Sequence, residues 1–502
     1  MKKVILSAAM FVASMSANFA QTYQNDYQKI IGLDKEGMKN YTLCETKDNG
    51  FAMVSFIEAG TSLEQNRIQI FKTDANFKVL QTQRFEFNPS GQFGTQITPF
   101  DIYETEDNNF IISGGIMNES DQQNSGGFLL SIKNIKNQMF EMDWMQIYPN
   151  DDPNGEMRIQ DIRRVVKLDD GYIALGTGRD AGRMGIIIKT DLKGNIKWSK
   201  HVYDTEHGEY RNSVMRDIVR INGKEVVIVG SVNNLPYDDS DIVVVHLTTD
   251  GEIISNIIYE NELEPKDQEF TYHEDVFAVE YNRKKNEIIV AGTNLKKVKG
   301  SCVTAEYKEI LTFGIDLKTA NVNWSTRHDI GADKTYQRES YFCSDIDFGE
   351  EGFAVSGSVK NSLFGKVDNF NGFILRLNEK AMSTDIRFYG AHNQEYLQRI
   401  YSRGNCYVAG GMFNKDGNNL NWMIESFNSV KSDCSSNRSE AKSVEYPLRY
   451  KKGASRKVVV KANPTSIKTV KSPYFESVIC PKILTKKTFE QVNESKKTFE
   501  KL

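Results

Sequence analysis

The sequence predicts an all-β chain, a seven-bladed β-propeller carrying a basic, partly irregular C-terminal tail. Three observations lead there. A strand-like run ending in a small residue recurs seven times, at spacings of 53 to 65 residues. Each copy holds about four β-rich runs between turn residues, which is the content of a propeller blade. One further strand-like stretch, 27–32, precedes the first copy and is placed to complete the last.

The recurring runs end at Ser55, Gly114, Gly176, Gly230, Gly292, Gly357 and Gly410. They consist of β-branched and aromatic residues bounded by Gly, Asn and Asp, which favours strands over helices. A second β-run follows a polar loop in every copy, for example Phe128-LLSI and Ile186-IIKTD. Several copies then turn into a last strand with an aromatic, where Trp144, Trp198 and Trp324 hold the same place as a repeated packing anchor. An unclosed propeller leaves a bare strand edge. Residues 27–32 are therefore expected to be the fourth strand of the last blade, with an open β-solenoid as the alternative architecture.

The first twenty residues read as a secretory signal peptide. Lys2 and Lys3 precede an apolar stretch from Val4 to Met15, and small residues lead to Ala20. That stretch is too short to span a bilayer, and no later apolar run reaches about 18 residues, so a transmembrane helix is not expected. The expected division is 1–20 signal peptide, 21–432 propeller and 433–502 basic extension, in a secreted or periplasmic protein.

The charge balance separates the last two parts. The whole chain carries 63 Lys+Arg against 67 Asp+Glu, but residues 21–430 have a net charge of −16 and residues 431–502 one of +10. An acidic body is a poor nucleic-acid surface, because phosphate binding needs a positive face. The basic tail suits an acidic partner, docked or solvated. Six cysteines in an exported chain can pair in fifteen ways. Cys434 and Cys480 bracket most of the tail and are the favoured bridge; buried free thiols are the alternative for the other four.

Two stretches carry a resemblance to known repeats. Residues 166–176, VKLDDGYIALG, and 188–198, IKTDLKGNIKW, resemble the delta-60-type and related propeller repeats of exported bacterial proteins. That resemblance implies a propeller fold and export. Residues 314–324, GIDLKTANVNW, resemble the end of a quinoprotein-type repeat, except that Ala320 stands where glycine is usual. The other copies lack this pattern, so no quinone or other cofactor is expected.

Catalytic signatures are missing from the sequence. There is no GxSxG elbow, HExxH, Walker loop or EF-hand loop. The run Asp238-Asp239-Ser240-Asp241 reads as an acidic loop, with calcium as its alternative, and no metal site is assigned. Segments leading into each innermost strand ring one mouth of the channel and carry Arg158, Tyr210, Arg211, His273, Glu274, Arg338, Tyr396 and Arg399. Aromatic and arginine side chains around one concavity suit a polar ligand, either a protein segment or a glycan. Blade-to-blade ion pairs are the other reading of the same residues. The expected function is a non-catalytic binding or scaffold propeller. The alternative is a secreted enzyme acting on a glycan or another polymer through carboxylates at the mouth.

Overall fold

A computed structural model describes residues 27–32, 37–58, 67–87, 95–118, 126–135, 139–149, 158–180, 182–203, 213–234, 239–261, 270–298, 307–330, 341–360, 370–389, 395–404, 406–415 and 418–427. In the tail it describes 436–439, 442–445, 448–452, 454–457, 463–464, 467–470 and 475–480. The signal-like segment 1–20, Tyr210, Arg211, Arg338 and Cys434 lie outside the described residues. Every regular element among the described residues is a β-strand.

The strands form antiparallel four-strand meanders that follow one another along the chain. The first comprises Gly37–Glu45, Phe51–Glu58, Arg67–Thr73 and Val79–Phe87. The second runs from Thr95–Glu104 to Phe140–Pro149, and the third from Arg158–Leu168 to Ile196–Tyr203. Two more meanders, Ser213–Arg220 to Ile253–Asn261 and Phe270–Asn282 to Val322–Asp329, join through a single parallel bridge between Ser240 and His273. Another spans Tyr341–Gly349 to Ser383–Tyr389. The last contains Glu395–Arg403, Cys406–Lys415 and Asn418–Phe427, and its fourth strand is Tyr27–Gly32, with Ile30 opposite Trp422. This is a β-propeller arrangement, in which the first strand of each meander is innermost.

Hydrophobic clusters lie between consecutive sheets. Phe56, Ile68, Phe110 and Phe128 share one such cluster, and Val355, Phe373, Ala278 and Ile310 share another. Ile31, Leu43, Phe51, Val408 and Met423 join the first meander to the last. There Ser55 Oγ donates to Asn421 Oδ1 at 2.8 Å, and the Tyr401 hydroxyl donates to the Leu43 carbonyl at 2.8 Å. The two ends of the propeller region are thus packed together.

A β-bulge explains the recurrent small residue. Each innermost strand carries an extra residue (Arg158–Leu168 carries two), and the glycine of the second strand pairs with the residue just before it. Gly114 faces Pro99, Gly230 faces Met215 and Gly357 faces Cys343. A Cβ on Gly357 would lie 1.9 Å from the Phe342 carbonyl oxygen, so no side chain fits. In the last sheet the residue at this register is Gly411, opposite Leu397, rather than Gly410, which the sequence pattern suggests. In the first sheet Ser55 takes the place, within an irregularity between Lys39 and Thr42.

The tryptophans sit on fourth strands and meet the neighbouring sheet's turn. Trp144 packs so closely on Gly194 that a Cβ there would be 2.8 Å from the ring, and Trp198 does the same to Gly251 at 3.0 Å. Trp324 departs from this pattern. Its indole N–H donates to Glu287 of its own sheet, and its ring stacks on Phe353 of the next.

The tail adds a fifth strand to the sheets, and it visits them in reverse order. Ser436–Ser439 pairs with Ser383–Tyr389, Lys442–Glu445 with Val322–Asp329, and Leu448–Lys452 with Ile253–Asn261. Ala454–Lys457, Asn463–Pro464 and Ile467–Val470 continue around to Ile196–Tyr203, Phe140–Pro149 and Val79–Phe87. Phe475–Cys480 ends beside Tyr27–Gly32, with Cys480 opposite Gln28.

Candidate functional site

The bulges set the polar lining of the channel. Side chains alternate along a strand, and one inserted residue re-aims those that follow. The residues directly after the bulges are Thr42, Asp101, Arg164, Asp217, Ala278, Asp345 and Arg399. Two positions further along each strand come Cys44, Tyr103, Val166, Val219, Glu280, Asp347 and Tyr401.

The first of these layers is a network of opposite charges. Arg164 lies 3.0 Å from Asp217 and 3.7 Å from Asp101. Arg399 contacts Asp101 directly and lies 3.8 Å from Asp345. Each aspartate also accepts a backbone N–H from the next sheet. Val165 donates to Asp101 at 3.0 Å, Val279 to Asp217 at 2.9 Å and Ile400 to Asp345 at 3.0 Å. The three donors directly follow Arg164, Ala278 and Arg399. One carboxylate therefore fixes both the neighbouring strand and, in two of the three cases, the guanidinium it carries. A cavity of about 380 Å³ opens on this network, with Cys44, Tyr103, Glu104 and Tyr401 in its wall.

Burial controls the protonation of these acids. It pushes the Asp101 carboxyl up to about 6 against the pull of Arg164. It raises Asp345 well above the usual carboxylate range, opposed by Arg164 and assisted by the charge of Asp217. Asp217 is raised by burial too, again with Arg164 opposing. For Arg164, burial disfavours the charge, but Asp217, Asp101 and Asp345 outweigh it and hold the guanidinium protonated. In the second layer, burial and the neighbouring Asp347 push Glu280 up to about 8, and burial takes Asp347 to about 6. Glu280 also borders a separate cavity of about 290 Å³ with Tyr281, Phe348 and Phe353.

Of the expected mouth residues whose side chains are described, only Arg399 lies in this network. Arg158 begins its strand opposite Arg179, and its side chain is outside the described residues. His273 is half-buried in strand Phe270–Asn282, and Glu274 beside it is 1% exposed, its carbonyl accepting from Ser240 Oγ at 3.0 Å. Tyr396 packs its ring 5.2 Å from that of Phe370. Asp239, Ser240 and Asp241 of the acidic run belong to a strand, Asp239–Thr248.

Sequence reasoning missed Asp101, Arg164, Asp217 and Asp345. A partial signal for them was present, because the residue after each bulge stands 11 to 14 positions ahead of the recurrent small residue. Aligning the copies on that residue brings the acids and arginines to within a few positions of one another.

No protein-family model matches the chain, and no curated protein matches it. Solved structures do. A Trypanosoma rangeli sialidase in complex with the inhibitor DANA aligns with a TM-score of 0.37 and 10% identity, over 78% of this chain and 55% of that one. The chain thus spans about half the length of the sialidase. Drosophila Plexin A in complex with Semaphorin 1b aligns with a TM-score of 0.41 and 6% identity, over 81% of this chain and 88% of that one. The WD40 domain of SCAP from fission yeast aligns with a TM-score of 0.29 and 10% identity, over 83% and 94%.

Proposed function

We propose that this chain is an exported, seven-bladed β-propeller that binds or scaffolds a partner and catalyses no reaction. On this reading 1–20 is the signal peptide, 21–432 the propeller with 27–32 in its last blade, and 433–502 a basic extension. The likeness of 166–198 to exported delta-60-type repeats supports the same assignment. The observation that carries the non-catalytic reading is how Asp101, Asp217 and Asp345 are used. Each accepts a backbone N–H from the next sheet and lies beside a guanidinium. Carboxylates so engaged hold strands together and are not free to attack or protonate a substrate. Recognition falls to the mouth residues, with a protein or glycan as ligand and an acidic partner for the tail.

The experiment is affinity capture from the envelope fraction with the full chain, alongside a glycan array and a hydrolysis screen. Saturable binding without turnover supports the proposal. Glycan hydrolysis that disappears in Glu280→Gln overturns it. That outcome would establish the enzyme reading, which the split protonation of Glu280 and Asp347 at neighbouring strands favours.

A further inference from the structure

We infer that the C-terminal tail is a peelable strap, and that its last strand, Phe475–Cys480, is the latch holding the propeller shut. The inference rests on the closed-ring reading above and concerns how that ring is kept closed.

The argument starts from strand Tyr27–Gly32. Among the described residues it is the only strand of the last sheet that comes from the front of the chain, and it pairs with Asn418–Phe427 from Tyr27↔Glu425 to Ile31↔Asn421. A short terminal strand paired on one side is an edge, and such edges fray and exchange. Here the other side is covered by Phe475–Cys480, from Gln28↔Cys480 to Gly32↔Phe475. Buried Ile30 and Ile31 of the same strand belong to two different hydrophobic clusters, shared with the preceding sheet and with the first. Loss of this one strand therefore loosens both flanks of the last sheet.

The route of the tail fixes the order in which it can detach. After strand Asn418–Phe427 it passes first along Ser383–Tyr389, circles the sheets in reverse, and returns to the last sheet. Its segments are two to six residues long, too short to be stable apart from the sheets they extend. Eight residues, 428–435, tie Ser436–Ser439 to strand Asn418–Phe427, whereas Phe475–Cys480 keeps its place through every tail segment before it, so release begins there. Phe475–Cys480 leaves before Ile467–Val470, and Ser436–Ser439 leaves last. The first edge uncovered is that of Tyr27–Gly32, so the step that starts unwinding also unlocks the closure.

Hydrogen exchange on the full chain tests this, comparing wild type with Ser477→Pro and with Val478→Pro. Successive amides in a strand point to opposite sides, so one of the two prolines removes a bond to Tyr27–Gly32. Exchange in 27–32 should accelerate about tenfold or more in that variant, while 383–389 and 436–439 keep their protection. Unchanged exchange in 27–32, in a variant that has lost protection at 475–480, overturns the latch. Absence of protection in 27–32 of the wild type would instead count against the closed ring itself. Limited trypsin digestion of the wild type needs no variant. Cleavage at Lys468 and Lys471 should precede cleavage at Lys442, Lys451 and Lys452, and the reverse order overturns the strap.

Discussion

The guanidinium of Arg403 lies 4.7 Å from the centre of the Phe51 ring, across the junction between the last sheet and the first. It also donates to Glu45 Oε1 at 3.0 Å and to the carbonyl of Ala75 at 3.3 Å. A planar fork meets a ring face, a carboxylate and backbone carbonyls at once, a set that an ammonium cannot reproduce.

Arg403→Ala is therefore expected to destabilise the fold by about 2 kcal/mol, and Arg403→Lys to recover less than half of that. Urea unfolding of the three proteins checks it. Equal stability of the Lys variant and the wild type would show that charge alone suffices at the junction.

The bulges make the recurrent glycine irreplaceable, in contrast to the turn glycine Gly404. A Cβ on Gly411 would sit 1.8 Å from the Tyr396 carbonyl oxygen, whereas Gly404 has nothing within 4 Å and only a positive φ of 55°. Gly411→Ala should cost more than about 3 kcal/mol or prevent folding, and Gly404→Ala about 1 kcal/mol. Thermal unfolding and soluble yield distinguish them.

Ala320 occupies a turn position with φ of 59°, where Gly194 and Gly251 serve in two other sheets. The left-handed region is costly for alanine and free for glycine, although glycine gains freedom in the unfolded chain. Ala320→Gly is expected to stabilise by about 0.5 kcal/mol, measured by the urea midpoint. Loss of stability would mean that the methyl group contributes packing that outweighs the relief.

The raised acids predict a pH dependence. A carboxyl whose folded value lies above its unfolded one keeps its proton more tightly when folded, so stability is lost as pH rises through the folded value. For Glu280 that window extends to about 8, and for Asp101 and Asp347 to about 6. Buried His328, pushed down to about 3 by burial, works oppositely, but only below the ordinary histidine value near 6.5. Between about 6.5 and 8 the slope thus belongs to Glu280, together with Asp345, which burial also raises well above the usual carboxylate range. Stability should fall over that interval, and Glu280→Gln should make the fall shallower and gain about 1 kcal/mol at pH 8. A wild-type midpoint that is flat from 6.5 to 8 would refute this.

The all-β meanders were legible because their second and third strands are dense in β-branched residues and end at Gly, Asn or Asp. Val226 to Val229, with Gly230 behind them, leave little choice of period. The axial acids were not legible by alternation alone. A bulge shifts the face after Pro99 or Cys343, so Asp101 and Asp345 fall out of step with the residues before them. The tail was opaque for another reason. Segments such as Asn463–Pro464 are too short to show a period, and their strand character comes from the sheet they join. The mouth residues were chosen by type, and type does not separate Arg399, on the axis, from Glu274, which is enclosed.

The pairing of Ile30 with Trp422 spans about 390 positions of chain. Such a contact carries a loop-closure cost that the local hairpins do not, and contacts of this kind slow folding. The innermost network has the same character, since Arg399 reaches Asp101. The sheets can form one by one as the chain lengthens, but the fold becomes whole only when its distant ends meet. Until they do, strand Asn418–Phe427 keeps an unpaired edge, open to a strand of another chain.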